Sequence, residues 1–125
     1  FHNGAIFSLG DVHAAMGDGE VMVSGVEISA DVTVRLSVIK GVSIETPMLE
    51  NDDICGVICS HEEIEKAVFH AVRITNEVMQ KKLGLSFNDA GMLISAVGDL
   101  RFCQVVDPER TVMMCIPKTI LSELF

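Results

Sequence analysis

Basic side chains are scarce in this sequence. Nine Lys and Arg stand against eighteen Asp and Glu, for a net charge of −9. A chain with that balance repels a phosphate backbone, which sets nucleic acid aside as a partner. Long apolar runs are missing too: none approaches the roughly twenty residues that a membrane-spanning helix needs. No basic segment followed by an apolar stretch opens the chain, as a secretory leader would. No membrane partner is expected, and a cytoplasmic setting is. Cysteine occurs, but never as Cys-x-x-Cys. Cys55, Cys59, Cys103 and Cys115 all stand in apolar, strand-like surroundings, with no second Cys or His pair at ligand spacing. Buried, reduced thiols follow, rather than a disulfide framework or a zinc–thiolate centre. Internal repeats and low-complexity tracts are absent as well.

What is present suffices for one modest core. With 125 residues, 49% of them hydrophobic, a single domain over residues 1–125 is expected and a second independent one is not. The chain opens on Phe1 without an initiator Met, close to an apolar Ala5-Ile6-Phe7 run, so an upstream region of the functional protein is expected.

The clearest periodicity runs from Val26 to Val38. Val26, Ile28, Ala30, Val32, Val34, Leu36 and Val38 alternate with Glu27, Ser29, Asp31, Thr33, Arg35 and Ser37, which predicts a long half-buried strand, with Gly25 marking a bulge or bend before it. A short strand is expected over Val42–Glu45, a loop over Met48–Asp53 and a buried strand over Ile54–Cys59. Ser60 with Glu63 reads as a capping box for one long helix ending at Gly84, with Ile64, Ala67, Val68, Ala71, Ile74, Val78 and Met79 on its buried stripe. His61 and His70 have no partner at metal-pair spacing and read as surface or boundary residues. Ser86 with Asp89 caps a second helix through Val97, in which Ser95 reads as a small packing residue. Strands over Leu100–Val106 and Thr111–Ile116 flank a turn at Asp107-Pro108, and Pro117 suits the start of a terminal helical segment over Lys118–Leu124. The expected class is α+β: a β-rich, sandwich-like body with a pair of helices inserted between strands.

Chemistry concentrates between Gly10 and Glu20, where three carboxylates and one imidazole lie among three glycines. Asp11 and His13 share a face of an extended backbone, and so do Asp18 and Glu20. A hairpin turning between Met16 and Gly19 would bring the two pairs together as an oxygen-and-nitrogen cluster for a divalent metal. Asp18-Gly19 is equally a turn signal in its own right, and Asp11 after Gly10 suits a surface turn. Turn chemistry gives no reason for His13 and Glu20 to be in phase with two aspartates. Asp11 and His13 are the candidate metal ligands and Glu20 the candidate general base and acid. Asp18 is a ligand, an orienter of His13, or only the turn residue. Glu27 lies on the polar face with Asp31 and Arg35, where a solvated cross-strand role suffices.

The same residues resemble a known family. Gly4-Ala5, Phe7-Ser8-Leu9-Gly10-Asp11-Val12-His13-Ala14-Ala15, Gly17-Asp18-Gly19-Glu20-Val21 and Glu27 look like the signature block of the acetamidase/formamidase family. Asp89-Ala90, Leu93-Ile94-Ser95, Asp99-Leu100-Arg101, Gln104-Val105-Val106-Asp107 and Ile116-Pro117-Lys118 resemble its carboxy-terminal region in the same order. The resemblance implies a sandwich-like body and hydrolysis of short linear amides, formamide- or acetamide-like. It implies a divalent metal, zinc foremost with calcium or another ion as alternatives, and it raises Glu27 to a residue supporting the ligands. Family members are longer, and the resemblance implies that their amino-terminal part carries further Asn, Asp and His site residues. This chain would then work as a homo-oligomer or in association with that part. Where the family pattern has Cys-Gly-Thr, this chain has Met22-Val23-Ser24, so no thiol nucleophile stands at that place. The alternative is a non-catalytic, β-rich module that binds metal or another subunit.

Overall fold

The computed structural model describes residues 3–125. Regular structure begins late. Its elements are β1 (Met48–Glu50), β2 (Ile54–His61), α1 (Ile64–Leu83), α2 (Phe87–Val97), β3 (Asp99–Gln104) and β4 (Arg110–Pro117). The strands form one antiparallel sheet in the order β1-β2-β4-β3, with the two helices inserted between β2 and β3. The architecture is mixed α+β, as the pattern of elements indicates.

The central pair is β2 and β4, in unbroken register from Ile54↔Pro117 to His61↔Arg110. Apolar side chains of both strands, Val57, Val112, Met114 and Ile116, are buried under α1. That helix presents Ala67 and Ala71 at full burial, and two such small side chains let its axis approach the sheet closely. Ile74 and Met79 continue the stripe, while Ala90 and Ile94 bring α2 into the same core. The chain end closes it. Leu121 and Leu124 are buried, and the Glu50 carboxylate accepts hydrogen bonds from Lys118 Nζ at 2.6 Å and from the Leu124 amide at 3.0 Å. Those two donors hold the Glu50 carboxyl below the usual carboxylate range.

Several expectations change. The alternating segment 26–38 forms no strand beyond the single bridge of Glu27 with His13, and its apolar side chains are exposed. Period two encodes a strand that has a partner, and among the described residues no partner strand lies beside it. Val42–Glu45 is likewise irregular, and the first strand falls instead on Met48–Glu50, expected as loop. There the Asn51 side chain accepts from the amides of Asp53 and Ile54, both at 2.9 Å, and closes a tight turn into β2. The Ser60–Glu63 capping box does not form. Ser60 is held in β2 with its hydroxyl on that of Thr111 at 2.9 Å, and α1 starts at Ile64 after an uncapped Glu63. Ladder pairing to the end of β2 outweighs one cap. The expected terminal helix is only a turn after Pro117, because the Glu50 contacts and the burial of Leu121 and Leu124 fix the tail.

Other readings hold. Gly84 ends α1 in a left-handed conformation (φ 68°), and Ser86 caps α2 by accepting from the Asp89 amide at 3.1 Å. All four cysteines are free, three of them buried, and burial pushes each thiol above its ordinary pKa. His61 and His70 meet edge to face, with ring centroids 6.2 Å apart.

Because the core lies in the sheet and its helices, Ile116→Ala should destabilise the fold by about 2–5 kcal/mol. Leu36→Ala, on the exposed segment, should change stability by less than about 0.5 kcal/mol. Urea unfolding of the two variants checks the contrast.

Candidate metal centre

Residues 12–15 and 26–28 form a small hairpin outside the main sheet. The Ala14 amide donates to Val26 O at 2.8 Å, Val26 to Ala15 O at 2.8 Å and Ile28 to Val12 O at 3.1 Å, with His13 bridged to Glu27. The hairpin is wider than the expected turn at Met16–Gly19, and this decides which side chains meet. Opposite His13 stands Glu27, not Asp18 or Glu20.

Asp11, His13 and Glu27 each offer a ligand atom, and the three atoms lie within 4.8 Å of one another. His13 Nε2 is 2.7 Å from Glu27 Oε1 and 3.7 Å from Asp11 Oδ1. The imidazole is nearly covered, with 11% of its side chain exposed, while the carboxylates of Asp11 and Glu27 are 87% and 61% exposed. Gly25 provides the cover. A Cβ there would come within 2.9 Å of the His13 ring, so only a glycine lets the ring lie flat against the returning chain. The hydrogen bond to Glu27 raises the His13 pKa above 6.5, and the charges of Glu27, Asp11 and Glu20 act in the same direction against partial burial.

Backbone strain gathers in the same loop. Asp11, Glu20 and Val23 are the only non-glycine residues among those described with positive φ, at 56°, 40° and 71°. The left-handed region suits Asp, but it is unfavourable for Glu and more so for β-branched Val, at on the order of 1–3 kcal/mol each. The loop is held in place by its tip. Gly19 bridges Gln104 at the end of β3, and its carbonyl accepts from the Val105 amide at 3.0 Å. Glu20 and Asp18 stand outside the three-residue cluster. Both line a cavity of about 540 Å³ walled by residues 15–18, Glu20, Val21, Met22 and residues 24–26, which shares Gly25 with the His13 ring. The charge of Asp18 is felt at Arg101 and Cys103 of β3, raising the pKa of each.

A nitrogen and two carboxylate donors suit zinc and other borderline or hard divalent ions. Two ligands of one tetrahedral zinc stand about 3.3 Å apart, close to the Asp11–His13 spacing of 3.7 Å. The shorter His13–Glu27 contact would have to open slightly to admit an ion.

The acetamidase/formamidase family model matches residues 1–123 of this chain. The chain belongs to the acetamidase/formamidase family. Among solved structures it resembles a recombinant predicted acetamidase/formamidase from the thermophile Thermoanaerobacter tengcongensis at 38% identity and TM-score 0.84, over 90% of this chain and 37% of that one. An acetamidase from Bacillus halodurans shares 35% identity at TM-score 0.83, over 90% and 38% of the two chains. An acetamidase from Yersinia enterocolitica shares 32% at TM-score 0.84, over 89% and 34%. The chain therefore spans little more than a third of each of these relatives. Among curated proteins nothing matches it. No helix of the described residues is long and apolar enough to cross a membrane.

For this family member, the sequence points to Asp11 and His13, which do meet. The family resemblance gives Glu27 only a supporting part, yet it makes the shortest contact to the imidazole. The available signal was parity: across a hairpin, Glu27 shares a face with His13, as Asp11 does, once the turn is taken to be long.

Because Glu27 raises the His13 pKa, their pairing should hold the hairpin below that raised pKa and weaken as pH rises through it. In an NMR titration of the metal-free chain, Glu27→Gln should move the His13 midpoint down towards 6.5. Gly25→Ala, by displacing the ring, should do the same. An unmoved midpoint in both variants would remove the claimed contact.

Proposed function

We propose that this chain carries part of the active site of a metal-dependent amidase, hydrolysing short linear amides such as formamide or acetamide to a carboxylate and ammonia. The observation that carries the reading is the meeting of Asp11, His13 and Glu27 beside the cavity that Glu20 lines. Family membership supports carbon–nitrogen hydrolysis as the reaction class. Asp11 and His13 hold the ion in this reading, with Glu27 as third donor or as the group that orients His13. Zinc is the first choice, with calcium or another divalent ion next. When bound, such an ion lowers the pKa of its water and polarises a carbonyl.

The chain's own groups supply the rest. Ala15, Val21, Met22 and Val26 give the cavity an apolar side on which the carbon end of a small amide rests. Glu20 takes the proton of the attacking water and delivers it to the departing nitrogen, acting first as base and then as acid. Glu20 lines the cavity, on the loop whose backbone takes a positive φ at that residue. Asp18 lines the same cavity, and Gly19 next to it holds the loop against β3. Met22 offers no nucleophile, so catalysis by a covalent thiol intermediate at that place is not part of the mechanism.

The ligand side facing solvent is open, with both carboxylates largely exposed. Further walls and ligands come from outside this chain, either from another copy or from the remaining two thirds of the family polypeptide. The free thiols suit a reducing, cytoplasmic setting.

The isolated 125-residue chain should bind zinc weakly and release no ammonia from formamide or acetamide. In the assembled protein, Glu20→Gln should lower turnover by about 10²-fold or more while metal content stays unchanged. His13→Ala should lose both. Turnover that survives Glu20→Gln, or full activity in the isolated chain, would contradict these assignments.

A further inference from the structure

Among the described residues before Met48, Gly19 alone is buried, and Val21, Met22 and Val23 just beyond it are exposed. Gly19 lies against β3, where a Cβ on it would stand 3.8 Å from that of Phe102 and 3.3 Å from Val21 Cγ1. Its carbonyl, which accepts from the Val105 amide at 3.0 Å, belongs to the same rigid peptide plane as the Glu20 amide, which donates to Gly17 O at 3.0 Å. On the far side of Glu20, its own carbonyl accepts from the Val23 amide at 3.0 Å. Both peptide planes that flank the Glu20 Cα are therefore tied. They keep the residue at φ 40°, a conformation that Glu holds only while its surroundings impose it.

The Val105 donor is itself placed by a side chain. Gln104 ends β3 just past a bulge: Phe102 faces Val112 and Gln104 faces Thr111, with Cys103 between them out of register. The Gln104 amide closes the following turn on itself. Its Nε2 donates to Glu109 O at 2.6 Å and to Thr111 Oγ1 at 3.0 Å, and its Oε1 accepts from the Val106 amide at 3.0 Å and the Asp107 amide at 2.9 Å. Two donors and two acceptor positions are the whole capacity of a Gln amide, and all four are taken. With the Val106 and Asp107 amides committed to this side chain, the Val105 amide goes to Gly19, beside the Gly19–Gln104 bridge.

We propose that Gln104 is a positioning residue for the amidase reaction: it holds the turn whose Val105 amide fixes the Gly19–Glu20 peptide, and so the place of Glu20 at the cavity. The proposal rests on the reading of Glu20 as the group that moves the proton. Gln104 acts through Glu20 and not on the substrate, since its polar atoms are spent within its own turn. A residue that merely stabilised β3 would matter equally with or without the Glu20 carboxylate. One that acts through Glu20 loses its effect once that carboxylate is gone.

A double-mutant cycle on turnover in the assembled protein reads this difference. Gln104→Met, which keeps the length of the side chain and removes its four hydrogen bonds, should lower kcat for acetamide by about tenfold. KM and metal content should stay within about twofold, because a displaced proton carrier slows the chemical step rather than binding. In the Glu20→Gln background the same change should lower kcat by less than about twofold. Exchange of the Val105 amide should speed up by about tenfold or more in Gln104→Met. Gln104→Glu keeps an acceptor for Val106 and Asp107 but donates nothing to Glu109, and should recover part of both losses. It carries the cycle in place of Gln104→Met if circular dichroism shows that variant unfolded. Equal losses of kcat in the two backgrounds, a loss confined to KM, or unchanged exchange at Val105 would each overturn the proposal. Turnover unaffected by Glu20→Gln alone would instead defeat the reading of Glu20, and the proposal with it.

Discussion

The ladder between β2 and β4 is the constraint on which the rest of the molecule depends. Eight consecutive pairings hold these strands together, and their inward side chains are what α1 packs on. Each remaining element attaches to that pair. β1 and β3 extend it on either side, α2 closes over α1, and the tail is drawn back onto it by Glu50. The candidate site depends on it at one remove: β3 is registered on β4, its end binds the tip of the Gly17–Glu20 loop through Gly19, and that loop shapes the cavity beside His13.

The molecule thus has two regions of different character. From Met48 onwards it is a packed unit with its polar groups satisfied; among the described residues no buried side-chain nitrogen or oxygen lacks a partner. Before Met48 there is a hairpin, a strained loop and an exposed arm, with little apolar burial. Positive φ at Glu20 and Val23 belongs to this second region, which has few contacts of its own to repay such strain. An ion at Asp11, His13 and Glu27 would be a contact of that kind. The candidate ligands stand where the chain is least supported by itself.

Much was legible beforehand, and the pattern of failure is informative. The Ser86 cap, the Gly84 stop, the buried stripe of α1, the strand at Ile54 and the pairing of Asp11 with His13 are local, each set by residues within a turn or two of one another. Most of the differences arise from contacts outside the segment concerned. Ser60 had the composition of a cap but was claimed by Thr111 on the facing strand. Met48–Glu50 had no strand signal, yet pairs with β2 because Asn51 turns the chain back. Residues 26–38 had the strongest strand signal and form none, since alternation describes how a strand is buried and not whether a neighbour is present.

The sequence alone determined the class of the fold, the family, and the residue types available for chemistry, because propensity, capping and spacing act between near neighbours. Only the tertiary structure decided that Glu27, rather than Glu20, closes on His13, and that the arm stands bare. Both depend on where a long turn brings distant backbone together, and local residue preferences carry no measure of that distance.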